Sequence, residues 1–410
     1  MTTNWATNIE FHDSQTLHPR SIDELAGIVK SNKKVRVRGS GHCFNTIADS
    51  YETVVVLDQL QHENRIDHST LTANIGAGLN YAQIAEFLQP QGFALHNLAS
   101  LPHISLAGAI STGTHGSGIK NGALHTALKS ITIMRPNGEV TTLTKDRHSE
   151  FEATVVGLGV TGIFLSSEVE IQPSFEIYQS VYGEMPHQHF QENLIEILSG
   201  AYSVSYFTTW SDLEIGDVWF KSKNPTPSEY FGVKERDVKA HPIFGEDPES
   251  TTEQFGVPGP WHLRLPHFRI DAKPSAGNEL QSEFFVASEN APAAFAAIKK
   301  ISPAFRHQLL VTEIRSIAAD EHWLSPAYQR ETIAFHCTWK NHAEVPSLIA
   351  LIEEALQPFS FRPHMGKLFN VGFDHLRQVI PQFDSFLEFV RNFDPENKFG
   401  NEFTNNLLQR

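Results

Sequence analysis

Cysteine, basic charge and long apolar runs are all scarce in this chain. Only two cysteines, Cys43 and Cys337, occur in 410 residues, which leaves no disulfide framework and no paired-cysteine metal motif. Lys and Arg number 32 against 47 Asp and Glu, a formal net charge of −15. That acidity repels phosphate backbones and anionic lipid surfaces, so it argues against nucleic-acid and membrane partners. No apolar run approaches the roughly 18 residues that cross a bilayer. The segment Met1 to Glu10 lacks a basic stretch followed by an apolar one, so no signal peptide is readable. Low-complexity tracts and internal repeats are missing too. What is present, 40% hydrophobic and 19% charged residues, is the composition of a globular chain with ample core material. At about 150 residues per domain, the length suggests two or three domains. The expectation is a cytoplasmic, monomeric protein with a small-molecule task.

The first 173 residues read as mixed helix and strand. Ser21-Ile22-Asp23-Glu24 is a capping-box pattern that starts a helix through Lys30. Val35 to Arg38 alternates and runs into Gly39, a strand entering a loop. Further strands are expected at Thr53 to Asp58, Leu71 to Ile75 and Ile163 to Ile171, with a helix over Tyr81 to Leu88. Ile131 to Met134 and Glu139 to Leu143 flank Pro136-Asn137-Gly138, a hairpin signal. The region 174–360 differs, being rich in aromatics and Pro-containing loops. Its strands are expected around Val218 to Phe220, Glu283 to Val286, Val311 to Ile317 and Ile333 to Trp339. Helices are expected over Pro292 to Ile301 and Val345 to Leu356.

A literal G-x-G-x-x-G spans Gly157 to Gly162. A dinucleotide fold needs a helix after that run, and here the continuation is strand-like, so the Rossmann reading is set aside. The 21 histidines show no metal-ligand spacing. His62-Glu63 lacks the second His of a metalloprotease helix, and His187 and His189 read as polar-loop residues. No metal site is expected. Two histidines differ, because glycines surround them. His42 ends Arg38-Gly39-Ser40-Gly41-His42, and His115 lies in Ser111-Thr112-Gly113-Thr114-His115-Gly116-Ser117-Gly118. Glycines let backbone N–H groups approach an anion, and the small hydroxyls add hydrogen bonds. Two such loops in one region point to a phosphate-bearing cofactor. Farther on, Glu313 and Arg315 share one strand face, as do His336 and Thr338. Such a lining suits a polyhydroxylated ligand, and two solvent-facing strand surfaces suit the same spacing.

Taken together, these residues resemble a family. The Arg38 to His42 run is similar to the histidine-bearing loop of the vanillyl-alcohol-oxidase-type FAD enzymes. The run Ser100-Leu101-Pro102-His103-Ile104-Ser105, then Gly108 and Thr112 to Gly116, resembles that superfamily's second cofactor loop. His364-Met365-Gly366-Lys367 resembles the His-x-Gly-Lys motif of its sugar-lactone and alditol branch, with Met365 where Trp is common. The likeness to the alditol (xylitol) oxidases continues through Glu253 to His262 and Glu313-Ile314-Arg315.

The resemblance implies an α+β fold: an FAD-binding domain of the vanillyl-alcohol-oxidase (PCMH) type, residues 1–173, and a substrate (cap) domain with a large antiparallel sheet, residues 174–360. Residues 361–410 would return to the first domain. It implies FAD linked covalently through His42 to the flavin 8α-methyl, with no second link, since Ser100 to Gly116 contains no Cys. Cofactor contacts would come from Val37, Arg38, Gly39, Ser40, Gly41, His42, Cys43, Asn97, Ser100, Ser105, Gly108, Thr112, Gly113, Thr114, His115, Ile163 and His364. The substrate side would be Ser100, Glu313, Arg315, His336, Thr338 and Lys367. The implied reaction oxidises the terminal alcohol of an alditol such as xylitol or sorbitol to the aldose. Hydride would pass to flavin N5 and electrons to O2, giving hydrogen peroxide. Lys367 and Arg315 would stabilise the developing alkoxide, and either Lys367 or His336 would take the proton. A cationic pocket is therefore expected inside an acidic protein. A sugar-1,4-lactone oxidase or dehydrogenase of the same superfamily, and a non-catalytic polyol-binding protein, are the alternatives.

Overall fold

The computed structural model describes residues 2–12, 14–272 and 278–410. Near the N-terminus, β1 (Gln15–Leu17), β2 (Val35–Val37) and β3 (Thr53–Val55) form a small parallel sheet in the order β1-β3-β2. Parallel neighbours need a crossover, and α1 (Ile22–Ser31) supplies it. The Ser21 hydroxyl accepts the Glu24 N–H at 3.1 Å, and the Glu24 carboxylate accepts the Arg20 N–H at 2.7 Å, which starts α1 where the sequence pattern predicts.

A second sheet contains β4 (Arg65–Asp67), β5 (Thr72–Gly76), β6 (Leu128–Met134), β7 (Val140–Thr144) and β8 (Ile163–Glu170). It is antiparallel, in the order β4-β5-β8-β6-β7. The expected hairpin at Pro136-Asn137-Gly138 joins β6 and β7. Helices α2 (Tyr81–Leu88) and α3 (Leu106–Thr112) lie between β5 and β6 in sequence. The run Gly157 to Gly162 is a turn from a short helix, Phe151–Val155, into β8. A strand follows it, as expected, so no helix N-terminus faces a pyrophosphate there.

The central region builds an eight-stranded sheet. Its strands are β9 (Glu176–Pro186), β10 (Ser203–Thr208), β11 (Ile215–Ser222), β12 (Gly259–Pro260), β13 (Glu279–Ala287), β14 (Leu309–Ile317), β15 (Thr332–Lys340) and β16 (Arg362–Pro363). The order is β12-β9-β11-β10-β14-β15-β13-β16, antiparallel throughout. Helices α4 (Ala291–Phe305) and α5 (Val345–Leu356) cover one face. Phe295, Ile298, Ile349 and Ile352 pack there with Tyr206, Phe284, Ile314 and Phe335. Because side chains alternate along a strand, Ile314 toward the helices turns Glu313 and Arg315 to the opposite face.

Two local readings change. His187 and His189 lie not in a polar loop but on a short helix, His187–Glu192. His187 is buried and its Nε2 lies 2.7 Å from the Thr208 hydroxyl, so tertiary packing overrides the polar local sequence. The strand expected from Glu283 begins at Glu279, because pairing with β15 reaches Lys340.

Candidate active site

Register across β14, β15 and β13 builds a polar row. His336 is the cross-strand neighbour of Glu313 on one side and of Glu283 on the other. Thr338 faces Gln281 one step along. These side chains, with Arg315, line a cavity of about 350 Å³ on the face away from α4 and α5. They are not solvent-facing strand surfaces: Glu283, Glu313, Arg315 and Thr338 are all buried.

Lys367 enters from the turn after β16. Its Nζ lies 2.9 Å from Glu283 Oε2, and Arg315 Nη2 lies 2.9 Å from Glu283 Oε1. Arg315 Nη1 reaches Glu313 Oε2 at 3.5 Å and donates to the Ser100 hydroxyl at 3.3 Å. The pocket therefore corrects one expectation. It is not simply cationic, since two buried carboxylates stand against the two cations. Burial would raise both carboxyls, but Lys367 and then Arg315 hold Glu283 well below the usual carboxylate range, and Arg315 and then His267 do the same for Glu313. Burial lowers the Lys367 ammonium, with Glu283 opposing that shift.

His336 is pushed down to about 4 by burial and then by Lys367, so the ring is neutral at pH 7. Its tautomer follows from the network. Gln281 Nε2 donates to Glu279 at 2.7 Å, which leaves Gln281 Oε1 facing His336 Nε2 at 3.1 Å. An amide oxygen only accepts, so Nε2 carries the proton and Nδ1 keeps its lone pair. Glu313 Oε2 lies 3.8 Å from that Nδ1, placed to stabilise an imidazolium.

On the opposite wall the His42 loop meets the run Ser100 to Ser105, while His115 of the other glycine-bearing loop reaches the sheet, its Nε2 3.2 Å from Glu283 Oε1. Ser40 Oγ accepts the Ser105 N–H at 3.0 Å, and Ser105 Oγ accepts the Ser40 N–H at 3.3 Å. A Cβ on Gly39 would fall 2.2 Å from Ser105 Oγ, so only glycine allows this approach. His42 follows, its Nδ1 3.0 Å from the Ser40 hydroxyl and its ring stacked on Trp5 with centroids 5.5 Å apart. Burial, and then His103, push the His42 imidazole down to about 4. Val37, Arg38, Gly39, Ser40, Gly41, His42, Cys43, Ser100, Ser105, Gly108, Thr112, Thr114, His115, Ile163 and His364 all line the cavity.

Asn97 and Gly113 do not. Asn97 is buried behind the wall, where Nδ2 donates to the Ser117 carbonyl at 3.2 Å. Gly113 ends α3 in the left-handed region, at φ 71. His115, Glu283 and His364 place ligand-type atoms within 4.8 Å of one another. A cation there would meet Arg315 and Lys367, which already hold both Glu283 oxygens.

Sequence reasoning missed Gln281, Glu283, His267 and Trp5 around this cavity. Gln281 and Glu283 carry the same two-residue spacing as Glu313 and Arg315, and that signal sits just before the apolar end of β13. His267 and Trp5 lie on irregular segments whose placement is purely tertiary.

Buried polar atoms and glycine-permitted close approaches around one elongated cavity fit a large cofactor. His42 Nε2 is buried without a hydrogen-bond partner, and the cavity runs from that loop to the His336 row. Comparison with known proteins points the same way. Residues 14–144 match the family described as FAD binding domain, and residues 278–407 match the D-arabinono-1,4-lactone oxidase family. The alditol oxidase of a Streptomyces species is 37% identical over 411 residues, which cover 99% of this chain and 98% of that protein. The L-gulonolactone oxidase of Scyliorhinus torazame is 23% identical over 450 residues, 98% of this chain and 96% of that protein. The structure of cholesterol oxidase from B. sterolicum superposes with a TM-score of 0.78, covering 99% of this chain and 96% of that one at 14% identity, a likeness of fold alone.

Proposed function

The chain belongs to the alditol oxidase family of FAD-dependent oxidoreductases, and from that premise we propose that it oxidises the terminal primary alcohol of an alditol, xylitol or sorbitol, to the aldose. FAD, when bound, would supply the two-electron chemistry, hydride acceptance from the alcohol carbon and reoxidation by O2 to hydrogen peroxide. The loops at Gly39 to Cys43 and Ser100 to His115, with Val37, Arg38, Ile163 and His364, would hold it. A neutral His42 with a free ring nitrogen suits the covalent link to the 8α-methyl. We place Asn97 and Gly113 behind this wall as supports.

The protein's own groups divide the remaining work. His336 Nδ1 accepts the hydroxyl proton, and Glu313 stabilises the imidazolium that results. Lys367 and Arg315 face the oxygen on which negative charge develops, a contact worth more in the transition state than in the ground state. Arg stays protonated, and Lys367 is held by Glu283, so both act as cations rather than bases. Glu313, Thr338 and Ser100 receive the other hydroxyls of the polyol. The observation that carries this reading is the placement of His336 in the cavity, its Nε2 3.1 Å from Gln281 Oε1, its Nδ1 3.8 Å from Glu313 Oε2 and Glu283 its neighbour across the sheet.

Residues 1–173 and 361–410 would form the cofactor domain and 174–360 the cap. One hydrophobic core supports this, drawing mainly on residues between Leu25 and Ile177 and again between Met365 and Leu408, while a second draws mainly on Tyr182 to Phe361. Among the described residues no helix is long and apolar enough to cross a membrane. We place the protein in the cytoplasm as a monomer, with a polyol and O2 as its partners.

Membership of an oxidoreductase family sets aside the non-catalytic polyol-binding alternative. A sugar-1,4-lactone remains the second reading, favoured by the lactone-oxidase match over 278–407. Peroxide formation from xylitol, sorbitol and L-gulono-1,4-lactone decides between them. Alditols as the better substrates support the proposal, and preference for the lactone overturns it.

A further inference from the structure

Lys221 is a buried lysine outside the cavity, its ammonium pushed down to about 7 by burial. It lies on β11 with 1% exposure. Its Nζ reaches the Leu265 carbonyl at 2.5 Å, the Pro266 carbonyl at 3.2 Å and His267 Nδ1 at 3.3 Å. An ammonium has three N–H donors and no acceptor, so the charged form spends all of them on this one stretch of chain. His267 belongs to the irregular segment after β12, and it lines the cavity. Its Nε2 lies 3.1 Å from Glu313 Oε1.

The Glu313 carboxylate only accepts, so a neutral His267 carries its hydrogen on Nε2, and Nδ1 is left to accept from Lys221, which keeps N–H donors whether charged or neutral. Burial, and then Lys221, push the His267 imidazole down to about 4, so the ring is neutral at pH 7 and its tautomer is a real choice. The ring is also wedged in place. Phe207 and Trp219 flank it edge-on, with centroids 5.3 Å and 5.1 Å away. Behind it, the Thr252 N–H donates to the His267 carbonyl at 3.0 Å. Glu313 Oε1 is thus pinned by His267, and Oε2 faces Arg315 and His336.

We propose that His267 and Lys221 are positioning residues for the substrate carboxylate: Lys221 holds His267 in its Nε2–H form, and His267 sets the plane of Glu313 for the polyol hydroxyl that it receives. This rests on the reading of Glu313 as a substrate ligand. The relay contacts no reacting atom and acts only through Glu313, so its effect falls first on polyol affinity and, through the imidazolium that Glu313 faces, more weakly on the rate. A side chain with no N–H at this point leaves a buried carboxylate oxygen unpaired and free to turn.

Two measurements on the holoenzyme test it. In a ¹⁵N-histidine NMR spectrum, His267 should show the neutral Nε2–H pattern. Finding it protonated on Nδ1, or charged at pH 7, overturns the relay whatever the substrate. In anaerobic flavin reduction by xylitol, His267→Leu should raise the apparent Kd about tenfold or more and slow the limiting rate by a smaller factor. His267→Gln keeps an N–H donor near the Nε2 position and should recover most of that affinity. Lys221→Met should shift the Kd in the same direction. A His267→Leu enzyme within about twofold of wild type, or a Gln variant no better than Leu, overturns the proposal. Glu313→Gln separates the two claims. An unchanged xylitol affinity there sinks the substrate reading, whereas a weakened one beside an unaffected His267→Leu sinks only the relay.

Discussion

Asn45 donates through Nδ2 to the carbonyls of Met365 and Lys367, at 2.8 Å each. One amide thereby ties the segment next to His42 to the segment that carries Lys367. The Phe44 N–H, donating to the Gly366 carbonyl at 2.9 Å, reinforces the same junction. The His42 loop and Lys367 are held as one unit, although more than three hundred residues separate them in the chain.

Asn45→Ala removes both hydrogen bonds and frees the Lys367 turn. The turnover rate should fall about tenfold while flavin content is kept, and stability should drop by about 1–2 kcal/mol. Steady-state kinetics beside a thermal melt reads both, and an unchanged rate with an intact flavin spectrum contradicts the account.

In the proposed mechanism, Lys367→Ala takes away a cation aimed at the developing alkoxide. Anaerobic flavin reduction by xylitol should slow by about 10²-fold or more. Glu283 keeps Arg315 as a partner at 2.9 Å, so the variant should fold. Reduction within a few-fold of wild type removes Lys367 from the mechanism.

His42→Ala should leave flavin that is released on acid precipitation, whereas the parent protein should keep its flavin in the pellet. Flavin already free in the parent ends the covalent assignment. Trp5, stacked on that ring, is the natural companion site to examine.

The buried histidines set the acid limit. His187, His267 and His336 are each pushed down to about 4, burial being the largest cause. Unfolded, they take up protons near 6.5, so between about 6.5 and 4 the unfolded chain binds more protons than the folded one. Stability must therefore fall as pH drops through that window, by at most about 1.4 kcal/mol per pH unit for each group. Glu283 and Glu313, held below 4.5, contribute stability that is lost only under stronger acid. The same value for His336 keeps its base form down to about pH 5, so kcat/KM should hold there. An acid limb near 6.5 would contradict His336 as the acceptor.

Much of this was legible in the sequence because it was local. The capping box at Ser21, the hairpin at Gly138, helix Tyr81–Leu88 and the strand after Gly162 rest on short-range patterns, and each is present in the fold. The loops at His42 and His115 and the faces at Glu313 and His336 were visible for the same reason. Glu283 was not, since a lone carboxylate on a strand gains meaning only from its neighbours across the sheet. Lys221, His267 and Asn45 belong to contacts between distant segments, and no periodicity in a single sequence encodes those. The cationic pocket expected from Arg315 and Lys367 became a balanced one because burying two charges calls for partners.

The central claim is that an alditol is oxidised against the His336 row. Mixing the holoenzyme with xylitol in the absence of oxygen tests it most directly, with the flavin spectrum followed and the sugar product identified. The account predicts bleaching of the flavin to the two-electron-reduced form together with the aldose. A flavin that stays oxidised with xylitol and sorbitol, yet bleaches with L-gulono-1,4-lactone, would contradict it.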